Sequence, residues 1–186
     1  MKAVVSISGG LDSVTLAHYV KSLDYDLHLL SFDYGQRHSK EIVYAQRCAL
    51  RLNAPHDIIY LSSITDLLTG SSLTDKVVEV PEGRYDEENM KSTIVPNRNM
   101  MMLSIAGAVA IVDKAKYVVA GMHAGDHAIY PDCRPDFVDA FGSTLRLATD
   151  SNIKTVAPFI TMTKAEIVKL GAKLGVPFEE TWSCYN

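Results

Sequence analysis

Five short runs rich in Val, Ile and Leu punctuate the chain at Lys2–Ile7, Asp26–Phe32, His56–Leu61, Lys116–Gly121 and Lys154–Phe159. Several are continuously apolar, which suits strands covered on both faces. Between them, apolar residues recur at spacings of three and four. Leu16, Val20 and Leu23 form one stripe, and Ile42, Ala45, Ala49 and Leu52 form another. The apolar stretch Met100–Val112 reads as a buried helix. The last helix is signalled at both ends. Thr163 and Glu166 make a capping box, Ile167, Leu170 and Leu174 form its stripe, and Gly175 and Pro177 stop it. Strands alternating with helices predict an α/β fold with a doubly wound, mostly parallel five-stranded sheet. Ligands of such sheets sit beyond the carboxyl ends of the strands, so the segments that follow each strand are the places to look. The stretch from Ser62 to Asn97 fits no period. It is expected to be an irregular insertion with a lid or interface role.

At 186 residues the expectation is a single catalytic domain. The net charge is −4, and it is not evenly spread. Seven of the 22 acidic and three of the 18 basic residues lie between Ser62 and Val95, which leaves the remainder balanced at 15 each. No basic face is implied, so nucleic acid is not expected as a partner. No run approaches the ~20 apolar residues that span a bilayer, and the N-terminus has no signal-peptide pattern. Three scattered cysteines, Cys48, Cys133 and Cys184, do not make a disulfide framework. A cytoplasmic protein is expected.

Chemistry gathers after the strands. The first runs into Ser8-Gly-Gly-Leu-Asp-Ser13 and a helix. Glycines allow a tight turn and close backbone approach, and a helix N-terminus favours an anion. The hydroxyls of Ser8 and Ser13 can donate to phosphate oxygens. Asp12 suits a magnesium ion shared with those phosphates. The loop has neither a Walker A ending nor a G-x-G-x-x-G pattern. After the second strand comes Phe32-Asp-Tyr-Gly-Gln-Arg-His38, in which Arg37 can pair with phosphate or carboxylate and Tyr34 can stack on a planar ring. In Val95-Pro-Asn-Arg-Asn99, Asn97 or Asn99 can cap the next helix. Arg98 opposes that helix's dipole, which points to an anion nearby. After the fourth strand, His123, Asp126 and His127 resemble metal ligands by type, but a polar loop without metal is the better reading of their spacing. Tyr130-Pro-Asp-Cys-Arg134 follows, where Asp132 can accept two N–H bonds from a guanine-like edge.

The Ser8–Ser13 loop resembles the PP-loop of the ATP pyrophosphatase superfamily, whose members cleave ATP between the α and β phosphates and adenylate a substrate. Together with "FDYGQRH", "VPNRN", "YPDCR" and "TWSCYN" it is similar, in order and spacing, to the 7-cyano-7-deazaguanine synthase family of the queuosine pathway. The resemblance runs from Met1 to Asn186. It implies a ligase that turns 7-carboxy-7-deazaguanine, ammonia and ATP into the nitrile, with Mg²⁺ on the ATP, zinc on four C-terminal cysteines, and a homodimer. ATP would be held by Ile7, Ser8, Gly9, Gly10, Leu11, Asp12, Ser13, Val14, Thr15, Leu16 and Ala17. Asp12, Arg37, His38 and Arg98 are the catalytic candidates, with His123 a second candidate for proton transfer. Tyr34, Gln36, Asn97, Asn99, Asp132 and Arg134 are the candidates for the substrate. Cys184 matches the first zinc cysteine. The chain stops two residues later, so a chain truncated at the zinc segment is expected. Other readings are a relative that stops at the amide, a tRNA-thiolating relative, and a nucleotide-binding module without catalysis.

Overall fold

The computed structural model describes residues 1–34, 40–61, 63 and 94–182. Five strands form one sheet: β1 (Lys2–Ser6), β2 (Asp26–Asp33), β3 (His56–Tyr60), β4 (Tyr117–Val119) and β5 (Lys154–Val156). Their order is β3-β2-β1-β4-β5 and every pairing is parallel, with Lys2 opposite Asp26, Ala3 opposite Tyr117 and Tyr117 opposite Lys154. The chain builds outward from β1 to β3, then crosses back to place β4 on the other side of β1. The switch of direction therefore falls between β1 and β4, and there the carboxyl ends of the strands part to leave a crevice.

Alternate strand residues face opposite layers. Ala3, Val5, Ile7, Leu27 and Leu29 pack against α1 (Leu11–Ser22), α2 (Lys40–Leu52) and α5 (Lys164–Lys173). Val4, Leu30, Phe32 and Val118 pack against α3 (Arg98–Val112) and α4 (Pro135–Thr149). Fully buried side chains such as Leu16, Leu29, Leu30 and Ile167 each contribute roughly 1.5–3 kcal/mol over an exposed position. The α3–α4 crossing is close because Gly107 has no side chain; a Cβ there would meet Leu145 Cδ1 at 2.6 Å.

The expected sheet and the capping box of α5 are present. Thr163 N and Oγ1 both donate to Glu166 Oε2 at 2.8 Å, and Glu166 N donates back to Thr163 Oγ1 at 3.3 Å. Two stripes differ. α3 is apolar throughout but buries only one side, at Leu103, Ala106, Gly107 and Ala110, and Val112 is 83% exposed. A single sheet face gives it one partner layer. In α1, Leu23 lies past the helix end and is half exposed, while Val14, Thr15 and Ala17 join Leu16 and Val20 in the core. This helix is wedged between the sheet and α5 and is covered on two sides. Among the described residues no helix is long and apolar enough to cross a membrane. The expected insertion at 62–95 lies outside the described residues apart from Ser63, Ile94 and Val95.

Candidate active site

The turn from β1 into α1 sits at the crevice. Gly9 takes φ +91°, a conformation that favours glycine, and a Cβ on it would collide with the Glu41 carbonyl oxygen and fall 2.9 Å from Ala45 N. The loop is thus pressed flat against the first turn of α2. Its amides are gathered by the two serines. Ser8 N and Gly9 N each donate to Ser13 Oγ at 3.2 Å, Gly10 N donates to Ser8 Oγ at 3.3 Å, and Ser13 Oγ donates to the Gly10 carbonyl at 3.0 Å. The hydroxyls therefore shape the loop from within. Gly10 stands at the N-cap of α1 with no side-chain cap, so the helix end stays open to an anion. Trp182 closes the loop from the far end of the chain, its N–H donating to the Gly9 carbonyl at 3.0 Å.

A cavity of about 740 Å³ opens here, a size ordinary for ligand pockets. Ser8, Gly10, Leu11, Asp12 and Ser13 form one wall, with Ile7 behind them. Gly121, Met122, His123 and Asp126 line it beyond β4, Glu41 and Trp182 line it beside the loop, and Tyr34, Arg98, Asn99 and Tyr130 also face it. Ala120 and Gly121, expected in the fourth strand, leave the sheet and line the cavity.

Asp12 is the electrostatic centre of the site. Its Oδ2 takes the Lys164 ammonium at 2.6 Å and lies 3.8 Å from His123 Nε2. Its Oδ1 is buried with no partner among the described residues. A carboxylate oxygen in that state is suited to a hard cation that brings its own phosphate ligands, so the residues present fit Mg²⁺. Zinc is a different matter. Cys184 lies outside the described residues, and among those described no group of three His, Cys, Asp or Glu could hold a metal. Cys48 and Cys133 are buried, and burial pushes both thiols up to about 12. They remain protonated and do not fit the thiolate a zinc site needs.

Lys164 and Glu41 are the two residues that motif reading missed. Lys164 stands inside the α5 capping box and so reads as ordinary helix; it is 152 residues from Asp12 in sequence. Glu41 opens α2 and reads the same way, yet burial against the cavity pushes its carboxyl up to about 7, with the Arg98 guanidinium pulling it back down.

The other sequence candidates divide. Tyr34, Arg98 and Asn99 line the cavity, with the Arg98 guanidinium 5.9 Å from the Tyr130 ring centroid. Asn97 is at the N-cap of α3 with φ +57° and makes no side-chain cap bond. Asp132 does that work instead, its Oδ2 accepting from Asn99 N at 3.0 Å. Asp132 is not on the cavity wall, nor is Arg134, whose Nε donates to the His127 carbonyl at 2.8 Å. Val14, Thr15, Leu16 and Ala17 belong to the core. Gln36, Arg37 and His38 lie outside the described residues. The His123–Asp126 spacing has a local cause. His123 Nδ1 accepts from Gly125 N at 3.0 Å and Asp126 Oδ2 accepts from His123 N at 3.1 Å, a capping box on a short 3₁₀ turn.

A serine-braced glycine turn at the switch point of a five-stranded parallel sheet, with an acid beside it, is the arrangement that the resemblance to the PP-loop ATP pyrophosphatase class implied, and a lysine adds to it. The chain superposes on NMN synthetase from Francisella tularensis with a TM-score of 0.60 at 18% identity, covering 96% of this chain and 63% of that one. It superposes on the U34-tRNA thiolase NcsA from Methanococcus maripaludis, which carries a [4Fe-4S] cluster, with a TM-score of 0.59 at 16% identity, covering 100% and 61%. At such identities the likeness is one of fold. The model for "Queuosine biosynthesis protein QueC" matches residues 2–186, and the chain belongs to that family. The curated 7-cyano-7-deazaguanine synthase of Rhizobium johnstonii is 54% identical over 188 residues, covering 100% of this chain and 79% of that protein. That of Brucella ovis is also 54% identical, covering 100% and 81%. The chain is an enzyme of queuosine biosynthesis, as its five motifs implied.

Proposed function

We propose that this enzyme condenses 7-carboxy-7-deazaguanine with ammonia in two ATP-consuming rounds and releases 7-cyano-7-deazaguanine. The observation that carries the reading is kinship, at 54% identity over the whole of this chain and 79% and 81% of the relatives, with proteins named for that product. The cavity adds support, since it joins a phosphate-loop wall to flat and hydrogen-bonding side chains.

A free carboxylate is a poor electrophile because oxide would have to leave. In the first round a substrate carboxylate oxygen attacks the α-phosphorus of ATP and pyrophosphate departs, leaving the acyl adenylate. Ammonia then attacks the acyl carbon, AMP leaves with its bonding electrons, and a proton is lost to give the amide. In the second round the amide oxygen takes an adenylyl group, again releasing pyrophosphate. Loss of AMP and of the nitrogen's protons forms the C≡N bond. Transfers of this kind need positioning and charge neutralisation above all. The uncapped α1 N-terminus would receive the departing pyrophosphate, and the amides of Ser8, Gly9 and Gly10 would have to exchange the serine hydroxyls for it. Lys164 would turn from Asp12 toward the phosphates. Asp12, through Oδ1, would hold Mg²⁺, which when bound neutralises phosphate charge. Arg37 and Arg98 remain the guanidinium candidates and His38 and His123 the proton-transfer candidates. A homodimer and a cytoplasmic setting belong to the same proposal, and light scattering on the purified protein checks the first.

The test is to incubate purified enzyme with ATP, Mg²⁺, ammonium and the deazapurine acid, then follow pyrophosphate and product mass. Acid-dependent pyrophosphate with the nitrile mass is expected. Pyrophosphate without the acid, or a product that stays at the amide, overturns the reading.

A further inference from the structure

With Asp132 occupied at the α3 N-terminus, the cavity needs another acceptor for the polar edge of a guanine-like ring. Among the described residues three carboxylates line it: Asp12, Glu41 and Asp126. Asp12 is bonded to Lys164, and Asp126 is bonded to the amide of His123. Glu41 accepts no hydrogen bond among the described residues, although burial has taken much of its water away. A desolvated carboxylate on a cavity wall is stabilised by whatever donors a ligand brings. Position at the start of α2 and the nearby Arg98 both favour its charged form, yet burial outweighs them and raises its pKa.

We propose that Glu41 and Arg98 together read the hydrogen-bonding edge of the substrate ring: Glu41 accepts from the ring N–H and the exocyclic amine, and Arg98 donates to the ring carbonyl. A deazaguanine edge carries two neighbouring donors and one acceptor, and enzymes that handle single bases read such edges by hydrogen bonds and flat stacking. A nearby carboxylate and guanidinium are its complement, and Tyr34 and Trp182, which line the same cavity, supply aromatic faces. The arrangement also favours a guanine-like ring over an adenine-like one, because an adenine edge would set an acceptor against Glu41. Since the same α2 turn touches Gly9 through its backbone, the substrate-reading carboxylate is built onto the rear of the phosphate loop.

This rests on the proposed reaction, and the experiment separates the two. Acid-dependent pyrophosphate release is measured with 7-carboxy-7-deazaguanine and with the analogue that lacks the exocyclic amine, on wild type and on Glu41→Gln. Wild type is expected to prefer the amine-bearing acid by about 100-fold in kcat/KM, because a site built for a donor rejects its absence. In Glu41→Gln that preference is expected to collapse below about tenfold. An unchanged preference in the variant overturns the proposal, and so does an equal loss on both substrates, which would mark a merely structural carboxylate. Wild type that shows no preference also overturns it. If Glu41→Gln fails to fold, Glu41→Asp is read by the same ratio, with the preference expected to fall. No acid-dependent pyrophosphate from wild type would remove the reaction itself and this assignment with it.

Discussion

Charge is handled in opposite ways at the two edges of the sheet. Toward the amino edge, His28 on β2 is bonded at both ring nitrogens, Nδ1 to Asp113 Oδ2 at 2.7 Å and Nε2 to Asp57 Oδ2 at 2.9 Å, and Lys2 Nζ adds a contact to Asp113 at 3.5 Å. Burial alone would raise the Asp113 carboxyl, but the His28 bond and charge, with Lys2, hold it below its usual range. At the carboxyl edge, Asp12 keeps a buried oxygen without a partner, and Glu41 is desolvated toward neutrality. Both edges bring acids and bases together. The His28 cluster is closed by its own bonds, whereas Asp12 keeps a buried carboxylate oxygen unused on the cavity wall. A closed cluster stabilises the fold; an open one is held in readiness for a ligand at some expense in stability.

Gly9→Ala should break the open edge most severely. Its Cβ has no room against the α2 backbone, so a loss of about 3 kcal/mol or more is expected by urea denaturation, together with nucleotide-dependent turnover. Asp12→Asn comes next. Pyrophosphate release should fall on the order of 100- to 1000-fold, while the urea midpoint moves little, because the pairing lost with Lys164 is half exposed. His28→Ala should show the reverse. Asp57 and Asp113 lose their shared donor, which costs roughly 1–3 kcal/mol, and the KM for ATP stays as in wild type. The depressed Asp113 carboxyl contributes stability that is present above its ordinary pKa and lost as pH falls through the folded value. Wild type should therefore lose stability on acidification through that range, and His28→Ala should lose less. Glu41→Gln gives the smallest and most telling change. A carboxyl raised to about 7 favours folding below its ordinary range and loses that contribution as pH rises through 7. At pH 8 the variant should equal or exceed wild type by roughly 1 kcal/mol, with the gap closing toward pH 4; a variant less stable at pH 8 would mean the carboxylate is not destabilised in the apo protein.

The parallel sheet followed from the alternation of strands and helices, and the strands and the α5 capping box were legible because each is written in neighbouring residues. Ser8–Ser13 was legible for the same reason. What sequence could not carry was pairing across distance. Lys164 meets Asp12 only because α5 packs beside α1, and Thr163–Glu166 gave that segment a sufficient local explanation. Asp132 looked like a free acceptor because nothing in "YPDCR" shows the Asn99 amide lying above it. Nothing local to Glu41 marks its burial, which comes from Gly9 packing against the first turn of α2. The apolar Met100–Val112 run gave no sign that only one of its sides would find a partner layer.

Trp182 is the sole tryptophan of the chain, its ring lies 5.9 Å from that of Tyr44 in a stacked arrangement, and its backbone is tied to Gly9. Nature has thereby placed a single fluorophore against the nucleotide grip. Emission excited at the indole band should shift when ATP is titrated in, so occupancy can be followed by light alone, without label or coupled assay.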